Sequence, residues 1–240
     1  MNVWAVPAIV ALGGYLIGSI SFARIIFARL SPGAKPVLLR TPSLDGRAEL
    51  VSHAVGATNV MVAFGARWGM FATSLDMGKA FLPTLLVRLL FPDAHYHLVC
   101  AAAVLVGHLW PVWYRFSGGG GNSSIIGMML AISPVGVLFA NAGGIIIGKL
   151  VPMFAFLGGV ALTIPWFMWR DGVLSPEAIF AFVITLLYLA GQSPEIMQFR
   201  QLKKAGHDLD IEHTMRLMKG ASKGSGHTSA NERPGECNEE

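Results

Sequence analysis

Two sets of residues in this chain have types and spacings suited to chemistry. The first runs from His108 through Trp110-Pro111-Val112-Trp113-Tyr114 and Arg115 to Ser117, then through four glycines, Gly118, Gly119, Gly120 and Gly121, to Asn122-Ser123-Ser124. Glycine lacks a Cβ, so a run of it lets backbone N–H groups converge on one point and lets a ligand approach closely. If Asn122 to Ser124 open a helix, their amides and hydroxyls sit at its positive end, where an anion is favoured. The chemistry implied is an anion cradle at a membrane surface. A flexible turn between two membrane helices would account for the glycines as well. No Gly-Lys-Ser/Thr follows the run, so it is not a nucleotide-binding P-loop.

The second set is Ser52, Thr58 and Asn59, followed by Asp76 and Lys79. Small polar groups at the edge of an apolar stretch are costly unless they meet a ligand or one another, and helix capping is the structural alternative for Thr58 or Asn59. Asp76 and Lys79 are three residues apart and share a helix face. An ionisable residue inside a membrane segment costs about 2.5–3.5 kcal/mol on insertion scales, so it points into the bundle and is either paired or functional. His108 is a general base by type, or else a histidine that orients the loop.

These residues must be positioned by membrane helices. The chain has 240 residues, 53% apolar and 13% charged, with a mean hydropathy of +0.56, which excludes a soluble domain. The expected fold is all-α, a polytopic transmembrane bundle. Six apolar segments are clear: Val3–Ile26, Trp68–Leu90, Leu98–Tyr114, Ile125–Lys149, Val151–Trp169 and a short Ala178–Ala190. Between the first two, Ser31–Leu50 reads as a surface excursion with three prolines, and Phe91–His97 as a short outer loop. Gly13, Gly14, Gly18, Ser19 and Ser21 suit close helix packing.

Basic residues gather at Arg24, Arg29, Lys35, Arg40 and Arg47, and again at Arg200, Lys203, Lys204, Arg216, Lys219 and Lys223; the net charge is +4. The positive-inside rule puts both groups in the cytoplasm and the N-terminus outside. Opposite sides for the termini require an odd number of spans. Splitting Ile125–Lys149 at Pro134 gives seven. Residues 1–200 then form the membrane domain, and 201–240 a polar cytoplasmic tail too poor in apolar residues to build a core. Cys100 and Cys237 suggest neither a disulfide nor a metal site. No metal or cofactor is expected, and nucleic acid is not an expected partner.

Four blocks occur together in order: Gly18-Ser-Ile-Ser-Phe-Ala23; Ser52 with Gly56-Ala-Thr-Asn-Val60; Asp76-Met-Gly-Lys79-Ala-Phe-Leu-Pro83; and Gly107-His-Leu-Trp-Pro-Val-Trp-Tyr-Arg-Phe-Ser-Gly-Gly-Gly-Gly121. In order and spacing they resemble the bacterial acyl-phosphate glycerol-3-phosphate acyltransferases, the PlsY family, over about Leu16 to Gln201. The resemblance implies a seven-helix inner-membrane enzyme without a metal. Its partners would be membrane lipid and two substrates, acyl phosphate and glycerol 3-phosphate. A fatty acyl group would pass from acyl phosphate to the 1-hydroxyl of glycerol 3-phosphate, giving lysophosphatidate in phospholipid synthesis. Positioning and anion stabilisation would supply most of the rate. Ser52, His108 and Arg115 are then the expected catalytic residues. Thr58, Asn59, Lys79 and Gly118 to Gly121 are the expected substrate-binding ones.

The chain departs from the family's motifs at several positions. Where the family's first motif has a glycine, an asparagine and an arginine, this chain has Val51, Ala54 and Val62. Both lysines of the Lys-Gly-Gly-Lys-Gly motif are replaced, by Ser117 and Gly120. A His-Arg-x-Asn-Ile motif aligns with Gln192-Ser-Pro-Glu195-Ile196, and the loop before Ser52 is longer than usual. At roughly 1.5–3 kcal/mol per charge-assisted contact, two lysines and an arginine amount to about 4–9 kcal/mol of anion binding. Arg115, two residues before the lost lysine, is the favoured replacement, ahead of Lys79, Arg40, Arg47 and Arg67. A catalytically impaired relative that binds a lipid or phosphate metabolite, or supports a lipid-synthesis complex, stays open as the alternative. A transporter has little in its favour, since no inverted repeat is evident.

Overall fold

The structure is a computed structural model that describes residues 4–150, 155–210, 212 and 216. Ten α-helices and one β-hairpin make up the described residues. The order is α1 (Ala5–Gly18), α2 (Phe22–Leu30), β1 (Leu39–Pro42), β2 (Glu49–Ser52), α3 (Ala57–Phe64), α4 (Ala66–Leu90) and α5 (Tyr96–Leu109). After a single 3-10 turn at Val112–Tyr114 come α6 (Asn122–Ile132), α7 (Pro134–Leu150), α8 (Ala155–Ala161), α9 (Thr163–Asp171) and α10 (Pro176–Lys204).

The first apolar segment is not one helix. Gly14 and Gly18 lie against the backbone of α5, so closely that a Cβ on Gly18 would stand 2.1 Å from the carbonyl oxygen of Val104. Gly107 returns the contact on Tyr15. Small residues allow this approach. The helix then stops at Ser19, whose hydroxyl donates back to the Tyr15 carbonyl at 2.8 Å, and restarts at Phe22. The break frees the carbonyl of Ile20 for a partner outside its own helix.

Contacts at the two ends of the bundle trace the passes. Gly14 faces Cys100 and Gly18 faces Val104, so α1 and α5 run parallel. At one end Arg88 of α4 donates to the carbonyls of Ala131 and Ile132 at the end of α6, and Arg170 of α9 donates to Ser133 at 2.8 Å. His95, at the start of α5, pairs there with Glu177 of α10. At the other end α10 reaches the glycine run, where Gln192 meets Gly120. The described residues thus make seven passes: α1–α2, α4, α5, α6, α7, α8–α9 and α10. The split at Pro134 is where α6 gives way to α7. Three segments, Ala5–Leu30, Tyr96–Tyr114 and Pro176–Lys204, are long and apolar enough to span by length and composition. Leu82, Leu89, Leu138 and Ile145 are among the large apolar side chains left exposed, as a lipid-facing surface requires.

Several boundaries differ from those expected. The last apolar segment is a 29-residue helix rather than a short one. Its polar end is still helical because Gln192, Glu195 and Gln198 face protein and Pro194 does not stop it. The segment expected at Val151–Trp169 is two helices meeting at Leu162, with residues 151–154 outside those described. The excursion before Ser52 contains an antiparallel hairpin in register Leu39↔Ser52 and Pro42↔Glu49. Residues 201–204 continue α10, and the following turn lies on the hairpin, with Leu44 N–H donating to Asp208 and Asp210 N–H to Pro42. The rest of the expected tail, with Cys237, lies outside the described residues apart from Glu212 and Arg216.

The main core joins α4, α5, α6, α9 and α10 through Ala80, Val104, Leu105, Met128, Phe167, Ile184 and Tyr188. A second cluster, with Ala23, Phe27, Val55 and Val60, holds α2 against α3.

Candidate active site

The helices on either side of the glycine run are short. At about 1.5 Å per residue α5 is about 21 Å long and α6 about 16 Å, against a hydrocarbon core of about 30 Å. The loop between them is therefore recessed into the end of the bundle, where irregular backbone is tolerated only inside protein or beside a cavity. Gly119 N–H donates to the His108 carbonyl at 3.1 Å, and Val55 N–H donates to the Gly118 carbonyl at 3.0 Å. These two bonds lay the loop between the end of α5 and the segment that follows β2.

The packing dictates the glycines. A Cβ on Gly118 would come within 2.2 Å of the His108 carbonyl oxygen, and one on Gly119 within 2.6 Å of His108 Nε2. Gly121 has φ +88° and starts α6. Gly120 is different, since its nearest neighbour would be Gln192 Nε2 at 3.8 Å. Asn122, Ser123 and Ser124 then open α6, so their amides have no carbonyl one turn back within the helix.

Beneath the loop lies a buried polar cluster. Lys79 Nζ stands 2.9 Å from Asp76 Oδ1, with side-chain exposures of 3% and 4%. It also donates to the freed Ile20 carbonyl at 2.6 Å and lies 2.9 Å from His108 Nδ1. The ammonium is thus engaged by three groups within the protein. A lysine donating to Nδ1 leaves the imidazole proton on Nε2, the nitrogen that faces Gly119. The Asp76–Lys79 pair read from spacing exists, and His108 and the break in the first span complete it.

The first polar block lies at the rim. Ser52, at the end of β2, donates its hydroxyl to Glu195 of α10. Asn59 acts as a cap: its Oδ1 accepts from Gly56 N–H at 2.8 Å and its Nδ2 donates to Val37 at 2.8 Å. The Thr58 hydroxyl is half-buried and has no hydrogen bond among the described residues. On α10, Gln192, Glu195 and Gln198 form one face. Gln192 donates to the Gly120 carbonyl at 2.9 Å, and Gln198 accepts from Val51 N–H and donates to the Glu49 carbonyl, both at 3.3 Å.

Two arginines are close to the loop, and they differ. Arg115 is exposed on a residue with φ 51°. Arg24 of α2 donates through Nη2 to the Ser117 carbonyl at 3.0 Å and to its hydroxyl at 3.4 Å, and its guanidinium lies 5.0 Å from the centre of the Tyr114 ring. Arg40 pairs with Glu49 on the hairpin, and Arg67 is exposed at the start of α4. Arg24, Gln192 and Glu195 are the site neighbours that sequence reasoning did not pick out. Only the basic cluster at Arg24 and the alignment of Gln192 and Glu195 hinted at them.

Beside the start of α6 opens an apolar cleft with a volume of about 120 Å³, between α6, α7, α8 and α9. Ile125, Met129, Ala140, Gly144 and Val160 line it, and Asn122 reaches it from the glycine loop. Tyr188 donates to Asn122 Oδ1 at 2.5 Å. No cluster of three or more potential metal ligands occurs among the described residues. The arrangement can hold an anion at the loop and an apolar chain in the cleft, with a hydroxyl–carboxylate pair at the rim.

The sequence profile of the family described as glycerol-3-phosphate acyltransferase matches residues 8–201. The glycerol-3-phosphate acyltransferase of Pseudomonas putida strain KT2440 is 32% identical over 173 residues, 71% of this chain and 83% of that protein. That of Pseudomonas paraeruginosa strain PA7 is 30% identical over 179 residues, 73% of this chain and 88% of that protein. The crystal structure of PlsY (YgiH), an integral membrane glycerol 3-phosphate acyltransferase, in its glycerol 3-phosphate form superposes with a TM-score of 0.66 at 26% identity, over 82% of this chain and 93% of that one. Its lysophosphatidic acid form gives 0.69 at 24% identity, over 90% and 100%, a likeness of fold.

Proposed function

Because this chain belongs to the glycerol-3-phosphate acyltransferase family, we propose that it is a membrane enzyme that acylates glycerol 3-phosphate to lysophosphatidate, with acyl phosphate as donor. The observation that carries this reading is the recessed loop Gly118–Gly121, seated on His108 and Val55, with the apolar cleft opening at its Asn122 end.

In this reading the loop amides and the positive end of α6 bind phosphate. The cleft takes the acyl chain, and binding there brings the carbonyl to the loop. The acceptor's 1-hydroxyl oxygen attacks the acyl carbonyl carbon. As the new C–O bond forms, the bond to the phosphate oxygen breaks and phosphate leaves with the electron pair. Glu195, hydrogen-bonded to Ser52, takes the proton of the attacking hydroxyl, while Ser52 and Thr58 orient the acceptor. Lys79 and His108 act from below. Their mutual bonds fix Nε2–H toward Gly119 and add positive field under the loop.

The loop end of the bundle also carries Arg24, Arg29, Lys35, Arg40, Arg47, Arg200, Lys203 and Lys204. Under the positive-inside rule this end is cytoplasmic, with the N-terminus on the outer side of the inner membrane. Residues 1–200 form the catalytic unit in this reading, and the chain beyond α10 lies in the cytoplasm.

The test is lysophosphatidate formation from acyl phosphate and glycerol 3-phosphate by the purified protein in lipid, beside Glu195→Gln, which keeps a hydrogen-bond partner for Ser52. Turnover lost in the variant supports the assignment. Folded protein that binds glycerol 3-phosphate without any turnover would replace it with the non-catalytic alternative.

A further inference from the structure

We propose that Arg24 is the cation that binds the substrate's phosphate at the glycine loop, a role that rests on the acyltransferase reading above. Three observations lead there. Arg24 is tied to Ser117, the residue immediately before the glycines, through both its carbonyl and its hydroxyl. Its guanidinium packs over Tyr114, a contact that orients the plane and favours the charge. Its donors are also far from used up. Among the described residues only Nη2 makes hydrogen bonds; Nη1 has no partner, and Nε is shielded from water without one. A guanidinium carries five donors in a rigid planar fork, and a free Nη1 beside a bound Nη2 leaves the end of that fork open. An anion at the Nη1–Nη2 edge would use the fork as a carboxylate or phosphate does elsewhere.

The other cations are worse placed. Lys79 is buried and already engaged by Ile20, Asp76 and His108. Arg40 pairs with Glu49. Arg115, Arg67 and Arg29 are exposed. The break between α1 and α2 accounts for Arg24's position, since α2 restarts beside the loop and presents its third residue to Ser117. A side chain from the first pass thus supplies positive charge at a loop that has none of its own between Ser117 and Gly121.

The experiment uses the full chain in lipid with Arg24→Gln, Arg24→Lys, Arg29→Ala and Arg115→Ala. Two quantities are read: KM for glycerol 3-phosphate, and the rise in melting temperature that glycerol 3-phosphate produces. Gln keeps a donor for Ser117 but loses the charge; Lys keeps the charge but loses the fork. Arg24→Gln should raise KM about tenfold to hundredfold and abolish the melting shift, while its ligand-free melting temperature stays near wild type. Arg24→Lys should recover part of both, and Arg29→Ala should match wild type. If Arg24→Gln keeps the wild-type KM and shift, or if Arg115→Ala is the variant that loses them, the proposal is overturned. It is also overturned if Arg24→Gln slows acylation of glycerol, which lacks the phosphate, as much as that of glycerol 3-phosphate, because Arg24 would then only anchor the loop. Should the wild type make no lysophosphatidate yet show a melting shift that Arg24→Gln removes, the acyltransferase reading falls and the anion site stands. A wild type with neither turnover nor shift overturns both.

Discussion

Lys79 Nζ lies 2.9 Å from Nδ1 of His108, and the opposite ring nitrogen of that imidazole faces Gly119. A charge buried in α4 is thereby coupled to the backbone of the glycine loop through one aromatic ring. Asp76 balances the ammonium, which also donates to the Ile20 carbonyl. The loop therefore rests on a polar support inside an apolar bundle.

Removing Lys79 should be expensive. Breaking a buried ion pair by deleting one partner costs about 3–5 kcal/mol, because the other charge is left uncompensated. Lys79→Met should lower the melting temperature in detergent sharply, and adding Asp76→Asn should restore a good part of it. Equal melting temperatures for the single and double variants would show that the pair is not the source of the loss.

The glycines should rank by the room each has. Gly118→Ala drives a Cβ to 2.2 Å from a backbone oxygen that cannot retreat, whereas Gly120→Ala meets only Gln192 Nε2 at 3.8 Å. Gly118→Ala should lose both folded protein and turnover, while Gly120→Ala should melt close to wild type. The reverse order would mean that the loop is not seated on His108.

Glu195→Gln should keep a hydrogen-bond partner for Ser52 while losing the base. General bases contribute about 10²–10⁴-fold, so kcat should fall into that range with little change in KM for acyl phosphate. A kcat within threefold of wild type would remove Glu195 from the proton transfer.

Filling the cleft should shorten the preferred acyl chain. Ala140→Phe places an aromatic ring in a cleft of about 120 Å³ lined by Ile125 and Met129. Rates with long-chain donors should fall more than rates with short-chain donors. An unchanged chain-length profile would place the acyl chain elsewhere.

The tie between the hairpin and the end of α10 should weaken in acid. The Asp45 carboxyl is lowered to about 2, chiefly by the Ser43 hydroxyl, then by the Arg47 amide and His207. A depressed folded value contributes stability above the unfolded value of about 3.9 and loses it as pH falls through the folded value. Hydrogen exchange at Leu44 and Asp210, whose amides bond across this junction, should therefore quicken between about pH 4 and 2. Asp45→Asn should show the quickened exchange at neutral pH, and unchanged protection there would discount the carboxylate.

Much of this protein was legible from local features. Apolar runs declare a membrane protein, because every buried backbone group must be bonded within a helix. Pro134 marks the change from α6 to α7, because the residue before a proline is pushed out of the helical region, and Ser133 there is extended at the end of α6. Asp76 and Lys79 pair because three residues of helix bring them to one face. The glycine run, Ser52 and the Gly-Ala-Thr-Asn block identify the family because their types and order survive in one dimension. Only the tertiary structure decided which side chains meet. Arg24 and Ser117 are 93 residues apart, and Ser52 and Glu195 are 143 apart. Such pairs depend on where α1 breaks and how far α10 continues past its apolar stretch, and on the depth at which short α5 and α6 leave the loop. Those are properties of helices packed against one another, where a rotation of one residue moves a side chain to another face.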